Sequence, residues 1–241
     1  MKDQNNILEI IKIGCFGHSN AGKKEWVRKY IKNDNDDLVL STVGIEYFIT
    51  KRILSDGKEY IIKFYDTAGQ ERYWSLTLRS VKNCDGFIFI YDINNKRTFD
   101  LINEWFQDIY YIKDENFPLI LIGNKCDLDE KREVSEEEGF KAAEKYKTTY
   151  FETIAKEGIN VERSINELLN KIIKYKKFQE KRDKSLVNIK LNIKKKGKYK
   201  IKEKDKGKGK EKKEKEGKGK DKKINKYLFW IQNLNYYNLK T

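Results

Sequence analysis

The chain has 241 residues, enough for one domain with a sizeable core and an appendage but short of a second full domain. Its net charge of +14 suggests nucleic acid, but residues 194–223 hold 17 Lys against 6 acidic residues, and Lys226 and Lys240 follow, so residues 1–193 are nearly neutral and the basicity belongs to a tail. Three cysteines in no repeated spacing (Cys15, Cys84 and Cys126) make no disulfide framework or zinc site and fit a reducing cytosol; no apolar run approaches ~18 residues, so neither a membrane span nor a secretory leader is expected.

In chain order, apolar runs of strand length fall at Ile7–Phe16, Ile45–Leu54, Tyr60–Tyr65, Gly86–Tyr91, Pro118–Ile122 and Thr149–Glu152. Several lack alternation, as in strands buried on both faces of a mostly parallel sheet. Helix-period stretches lie between them, at Lys23–Lys32, Thr98–Lys113, Ser135–Lys147 and Val161–Lys177. Ser135 and Glu138 have the spacing of a capping box, and Asp56-Gly57 that of a hairpin turn. The alternation with one hairpin predicts an α/β fold, a mixed six-stranded sheet flanked by helices. The last helix is expected to fade near Lys177. The predicted organisation is a folded domain over 1–180, a disordered Lys/Gly/Glu linker over 181–223 and an aromatic segment over 224–241.

Three motifs carry chemistry. Gly17-His18-Ser19-Asn20-Ala21-Gly22-Lys23 joins a predicted strand to a predicted helix and matches G-x-x-x-x-G-K. In such a loop the backbone N–H groups turn toward phosphates, the helix N-terminus adds positive potential, and the lysine reaches the terminal phosphates. The bland alternative is a Gly-rich strand–helix turn. Asp66-Thr67-Ala68-Gly69-Gln70 follows another strand: a carboxylate there can hold a Mg²⁺ shell, a glycine lets backbone approach a γ-phosphate, and a glutamine can orient water. Asn124-Lys125-Cys126-Asp127 ends a third strand; its Asp can accept from the guanine ring N–H and amino group, a pair adenine lacks. All three motifs then sit at the carboxyl ends of strands, the edge where open α/β sheets bind ligands.

Together these residues resemble the Ras superfamily of small GTPases, and the wording resembles its Rab branch. Ser41-Thr42-Val43-Gly44-Ile45-Glu46-Tyr47 is similar to the Rab first switch, Asp66 through Tyr73 to the second, and Gly123 through Leu128 to the base motif. The resemblance covers about 8–177 and implies a three-layer P-loop fold that binds GTP or GDP with Mg²⁺. By that resemblance Gly17, Ser19, Asn20, Ala21, Gly22, Lys23 and Lys24 lie on the phosphates. Thr42 and Asp66 serve the metal, and Gly69 senses the γ-phosphate. Gln70 positions the attacking water. Asn124, Lys125, Asp127, Ala155 and Lys156 surround the base. It also implies effector and regulatory partners at the switches, and a role in vesicle traffic.

The sequence departs from that pattern at several points. Lys24 stands where the family has a Ser or Thr ligand to Mg²⁺, and an ammonium cannot coordinate a cation. That predicts altered metal dependence and slow hydrolysis; the alternatives are a swung-out Lys24 with water in the ligand position, or a non-catalytic binding module. Ile154 replaces a loop-ordering serine, which predicts a modest loss of base affinity. His18 is expected to face solvent. Tyr65 stands where Rabs usually have Trp, and residues 73–83 diverge from the family. Cys126 is the last cysteine, so no prenyl anchor is expected. The expected location is cytoplasmic, or peripheral on a membrane. The basic tail is either a solvated extension or an attraction to anionic membrane, with nucleic acid ranking third. The aromatic end could replace a lipid as interfacial anchor.

Overall fold

The computed structural model describes residues 8–31, 38–42, 45–67, 82–114 and 116–204. Seven strands form one sheet: β1 (Glu9–Phe16), β2 (Leu38–Thr42), β3 (Ile45–Ile53), β4 (Glu59–Thr67), β5 (Gly86–Asp92), β6 (Leu119–Asn124) and β7 (Thr149–Thr153), in the order β2-β3-β4-β1-β5-β6-β7. The β2–β3 and β3–β4 pairs are antiparallel; the other four pairs are parallel. The α/β class is as expected, with one strand more than the six read from the sequence. The addition is β2, a five-residue edge strand with too short a pattern to stand out. The Asp56-Gly57 turn closes β3 onto β4: Gly57 has φ +76°, and its N–H donates to the Leu54 carbonyl at 2.9 Å.

Among the described residues four α-helices flank the sheet: α1 (Lys23–Ile31), α2 (Lys96–Ile112), α3 (Glu136–Lys145) and α4 (Val161–Lys204). Helix α2 begins earlier than its apolar pattern because Asn95 caps it, its side chain accepting from the Arg97 N–H. The Ser135/Glu138 capping box at α3 forms in both directions. Helix α4 runs unbroken to Lys204, past Lys177, where its pattern was expected to fade. Lys, Glu, Leu and Ile are good helix formers, no proline intervenes, and propagation adds one hydrogen bond per residue once a helix is nucleated. The compact unit that contains the sheet ends at Lys184; Ser185–Thr241 form a second unit, helical as far as Lys204. The aromatic segment 224–241 lies outside the described residues.

The central strands sort their residues by face. On β5, Phe87, Phe89 and Tyr91 join the core under α2 and α3, while Ile88 and Ile90 join the core under α1 and α4. On β6, Leu119 and Leu121 share the first core, and Ile120 and Ile122 the second. The result is three layers, with every residue of β5 and β6 buried. Burying a large apolar side chain contributes about 1.5–3 kcal/mol. The aromatic side is tightly packed: Phe106 stacks on Tyr146 with ring centroids 4.0 Å apart. These rigid strands carry the loops at their carboxyl ends.

Candidate nucleotide-binding site

The loop Gly17–Gly22 links β1 to α1 and folds back on the sheet. Gly17 has φ +153° and Gly22 φ +87°. A Cβ on Gly17 would sit 2.1 Å from the Ile90 carbonyl oxygen, and one on Gly22 would sit 2.5 Å from Asn124 Nδ2. Only glycine fits these positions, on grounds of both backbone conformation and space. Lys23 closes the loop: its Nζ donates to the carbonyls of Gly17 at 2.8 Å and His18 at 3.1 Å. The lysine is buried, 4% exposed. Burial pushes its ammonium below the ordinary range, while Asp66 and Cys15 pull it up. A buried cation on neutral carbonyls, inside a glycine cradle at a helix N-terminus, suits a phosphate group. Burial also drives the Cys15 thiol well above its ordinary range, so it is no nucleophile.

Asn124, at the end of β6 and 1% exposed, ties three segments together. Its Nδ2 donates to the Ala21 carbonyl at 2.9 Å. Its Oδ1 accepts from the Thr153 hydroxyl at 3.1 Å and the Ala155 N–H at 3.2 Å. The phosphate loop, the end of β6 and the loop after β7 are thus fixed to one side chain. Lys125 adopts φ +71°, and its Nζ pairs with Asp92 Oδ2 at 2.6 Å. Asn94 holds that pair, with Nδ2 donating to Asp92 Oδ1 and to the Lys125 carbonyl, each at 3.2 Å. Asp127 is exposed within the short helical turn Cys126–Lys131.

The loop after β7 is ordered without the missing serine. The Ile154 carbonyl accepts from the N–H groups of Glu157 at 3.2 Å, Gly158 at 2.8 Å and Ile159 at 3.2 Å. The Lys29 ammonium, from α1, donates to the Lys156 carbonyl at 3.1 Å. Sequence reasoning missed that clip; the facing pair Lys29 and Gly158 becomes visible only in three dimensions. Beneath the base motif, Arg132 grips Glu152 through two nitrogens at 2.7 and 3.0 Å, and the Tyr150 hydroxyl donates to Glu152 Oε1 at 2.9 Å. Burial opposes the Glu152 charge, but these bonds hold its carboxyl below the ordinary range. Beside it, burial and the Glu152 charge push the Cys126 thiol up to about 12.

The structure brings together Gly17, Ala21, Gly22, Lys23, Asn124 and Ala155, and places Lys125 and Lys156 on the loops that border them. Ser19 and Asn20 are exposed at the tip of the phosphate loop. Lys24 is half-buried in the first turn of α1. His18 does not simply face solvent: it is half-buried, and its Nδ1 is buried without a hydrogen-bond partner. Asp66 pairs in register with Cys15 and reaches Lys23 electrostatically. Thr42 ends β2, opposite Ile45, with its side chain outside the described residues. Gly69 and Gln70, and the divergent flank up to Val81, lie outside them too. The glycine loop and its buried ammonium have the chemistry of a phosphate cradle. The described residues do not by themselves fit Mg²⁺: they contain no cluster of three or more His, Cys, Asp or Glu that could hold a metal, and a lysine, Lys24, follows Lys23 at the start of α1. Tyr65 packs edge-on to Tyr47 at 4.9 Å, with the Lys63 ammonium 4.1 Å from the Tyr47 ring, so this part of β3 and β4 presents an aromatic and cationic surface. No helix among the described residues is long and apolar enough to cross a membrane.

The Ras family profile matches residues 12–174. Ras-related protein Rab-3 of Caenorhabditis elegans is 35% identical over 164 residues, 68% of this chain and 74% of that protein. Rab-3A of Homo sapiens is 34% identical over 167 residues, covering 69% and 76%. Rab-8 of Diplobatis ommata is 35% identical over 182 residues, covering 73% and 86%. The family match runs from within β1 to the first third of α4 and includes every loop of the cradle. This chain therefore belongs to the Ras family and is a Rab-type small GTPase, a guanine-nucleotide-binding switch protein.

Proposed function

We propose that this chain binds GTP and GDP at the carboxyl edge of its sheet, hydrolyses GTP slowly, and alters its affinity for trafficking partners with the nucleotide state. The observation that carries the reading is the buried Lys23 within a glycine cradle tied by Asn124 to the base loop. Lys23 holds charge on the terminal phosphates. Asp127 accepts from the guanine edge, and the Lys125 stem covers the base, oriented by its pair with Asp92. Gln70 positions the attacking water. Lys24 takes over part of the charge neutralisation that a metal and its hydroxyl ligand supply elsewhere in the family, which makes binding less dependent on Mg²⁺ and hydrolysis slow. Effectors read the switches and the Tyr47/Tyr65 surface, and the Lys-rich tail draws the protein to anionic membrane.

Titration of the purified protein with fluorescent GDP and GTP, with and without Mg²⁺, tests this. Nanomolar to micromolar binding that changes little on chelation is expected. A sharp loss on chelation would show that Lys24 yields to the metal. No binding at all would favour the second reading, a non-catalytic module, for which Lys24 is the specific support; phosphate release over hours separates that module from a slow enzyme.

A further inference from the structure

Opposite the nucleotide edge, at the amino ends of β6 and β7, a cavity of about 470 Å³ opens beside α4. β6 is six residues long, so the cavity lies ~17 Å from the cradle. Phe117, Pro118 and Leu119 form a buried apolar floor, and Tyr175 and Phe178 stand along α4. Phe178 is 58% exposed, a large apolar group with little cover. Asn116, Lys147, Lys171 and Lys174 complete the lining, and no Asp or Glu among the described residues joins them.

The charge at Lys171 is held by neutral groups. Its Nζ donates to the Thr149 hydroxyl at 2.7 Å and the Leu119 carbonyl at 3.4 Å. Burial lowers its affinity for the proton, and Glu167, one turn earlier on α4, opposes that. Asp114, outside the lining, accepts from the Tyr175 hydroxyl at 2.6 Å and from Gln179 Nε2 at 3.4 Å. A desolvated ammonium with neutral acceptors gains most from an incoming anion.

We propose that this cavity docks an acidic peptide segment of a partner protein: one bulky apolar side chain seated on Phe117, Tyr175 and Phe178, with flanking carboxylates on Lys147, Lys171 and Lys174. An apolar floor with a basic rim is the complement of such a segment. A hydroxyl-rich lipid headgroup would leave the aromatic floor unmatched. The chain's own residues 194–223 carry the same sign of charge as the rim and are no complement. The lining comes from β6, its approach, the α3–β7 turn and α4, with no switch residue among it. Docking here is therefore independent of the bound nucleotide and of the switch reading above.

The test uses the full-length protein and a fluorescein-labelled peptide, Glu-Asp-Glu-Phe-Asp-Glu, read by anisotropy. A peptide of equal charge with Ser in place of Phe reports attraction to the Lys-rich tail alone. Lys174→Glu and Phe178→Ala change exposed side chains, so folding is preserved. The expected result is about tenfold weaker binding of the Phe peptide to Lys174→Glu and about fivefold weaker binding to Phe178→Ala. The Ser peptide should be unaffected by Phe178→Ala, and affinity should be equal in GDP- and GTP-loaded protein. Binding unchanged in both variants, no measurable binding to wild type, or a strong nucleotide dependence would each overturn the proposal. So would anionic phosphatidylserine vesicles that lose binding in both variants while the Phe peptide does not, since the occupant would then be lipid.

Discussion

Removal of the Asn124 side chain tests the physical core of the site. Asn124→Ala breaks three buried hydrogen bonds, to the Ala21 carbonyl, the Thr153 hydroxyl and the Ala155 N–H. At about 1 kcal/mol each the net loss is ~3 kcal/mol, and more where the stranded groups find no water. Thr153 is fully buried and Ala155 is 5% exposed, so little water reaches them. A domain of this size should then lose roughly 6–12 °C in Tm. The assay is urea and thermal unfolding of the nucleotide-free protein, followed by the fluorescent GDP titration. A second variant, Asn124→Asp, separates the parts: its carboxylate still accepts from Thr153 and Ala155 but cannot donate to the Ala21 carbonyl. Ionised, it buries an unpaired charge against that carbonyl, so it should destabilise at least as much as Asn124→Ala at neutral pH and also weaken nucleotide binding through a loosened phosphate loop. If Asn124→Ala unfolds within about 0.5 kcal/mol of wild type, the ties do not hold the site together and the reasoning fails.

Other expected outcomes follow from the same geometry. Gly22→Ala forces a Cβ to 2.5 Å from Asn124 Nδ2 at a φ of +87°; GDP affinity should fall at least tenfold, measured by equilibrium titration. Lys24→Ser restores a hydroxyl beside Lys23; chelation should then weaken GDP binding more than in wild type, read by the same titration in EDTA. Arg132→Ala leaves the Glu152 carboxylate half-buried without its bidentate partner and should cost about 2 kcal/mol in urea unfolding; Arg132→Lys should recover only part of it. Glu138 has its carboxyl lowered to about 2 by Lys96 and the Ser135 cap. A lowered folded-state pKa stabilises fully above the unfolded value near 4.5 and is lost as pH falls through about 2. The Glu138 side chain is 42% exposed, so solvent screening should hold the effect to about 1 kcal/mol or less, seen as a shallower acid-unfolding curve for Glu138→Gln below pH 4.5.

Much of the site was legible in the sequence, because its chemistry is local. Gly17, Gly22 and Lys23 need only a strand, a tight loop and a helix in succession, and that pattern is written within fifteen residues. The Ser135 capping box is likewise a contact between near neighbours. What was not legible depends on chain segments distant in sequence. Asn124 was read as a base ligand; that its side chain also ties Ala21, 103 residues away, and the loop after β7 could not be read from the motif. The loss of a serine at Ile154 predicted a modest loss of base affinity from the motif alone. The structure supplies backbone bonds and the Lys29 clip instead.

The sequence by itself determined the order of strands and helices, the phosphate loop, the base motif and the concentration of charge in the tail, since each follows from local periodicity, conformation or composition. Tertiary structure decided which cations are buried, which face of each strand meets which helix pair, and that Lys171 lies with Phe117 and Tyr175 in a cavity remote from the nucleotide edge. Those properties belong to burial and long-range contact. They arise only when segments far apart in the chain are packed against one sheet and water is excluded between them.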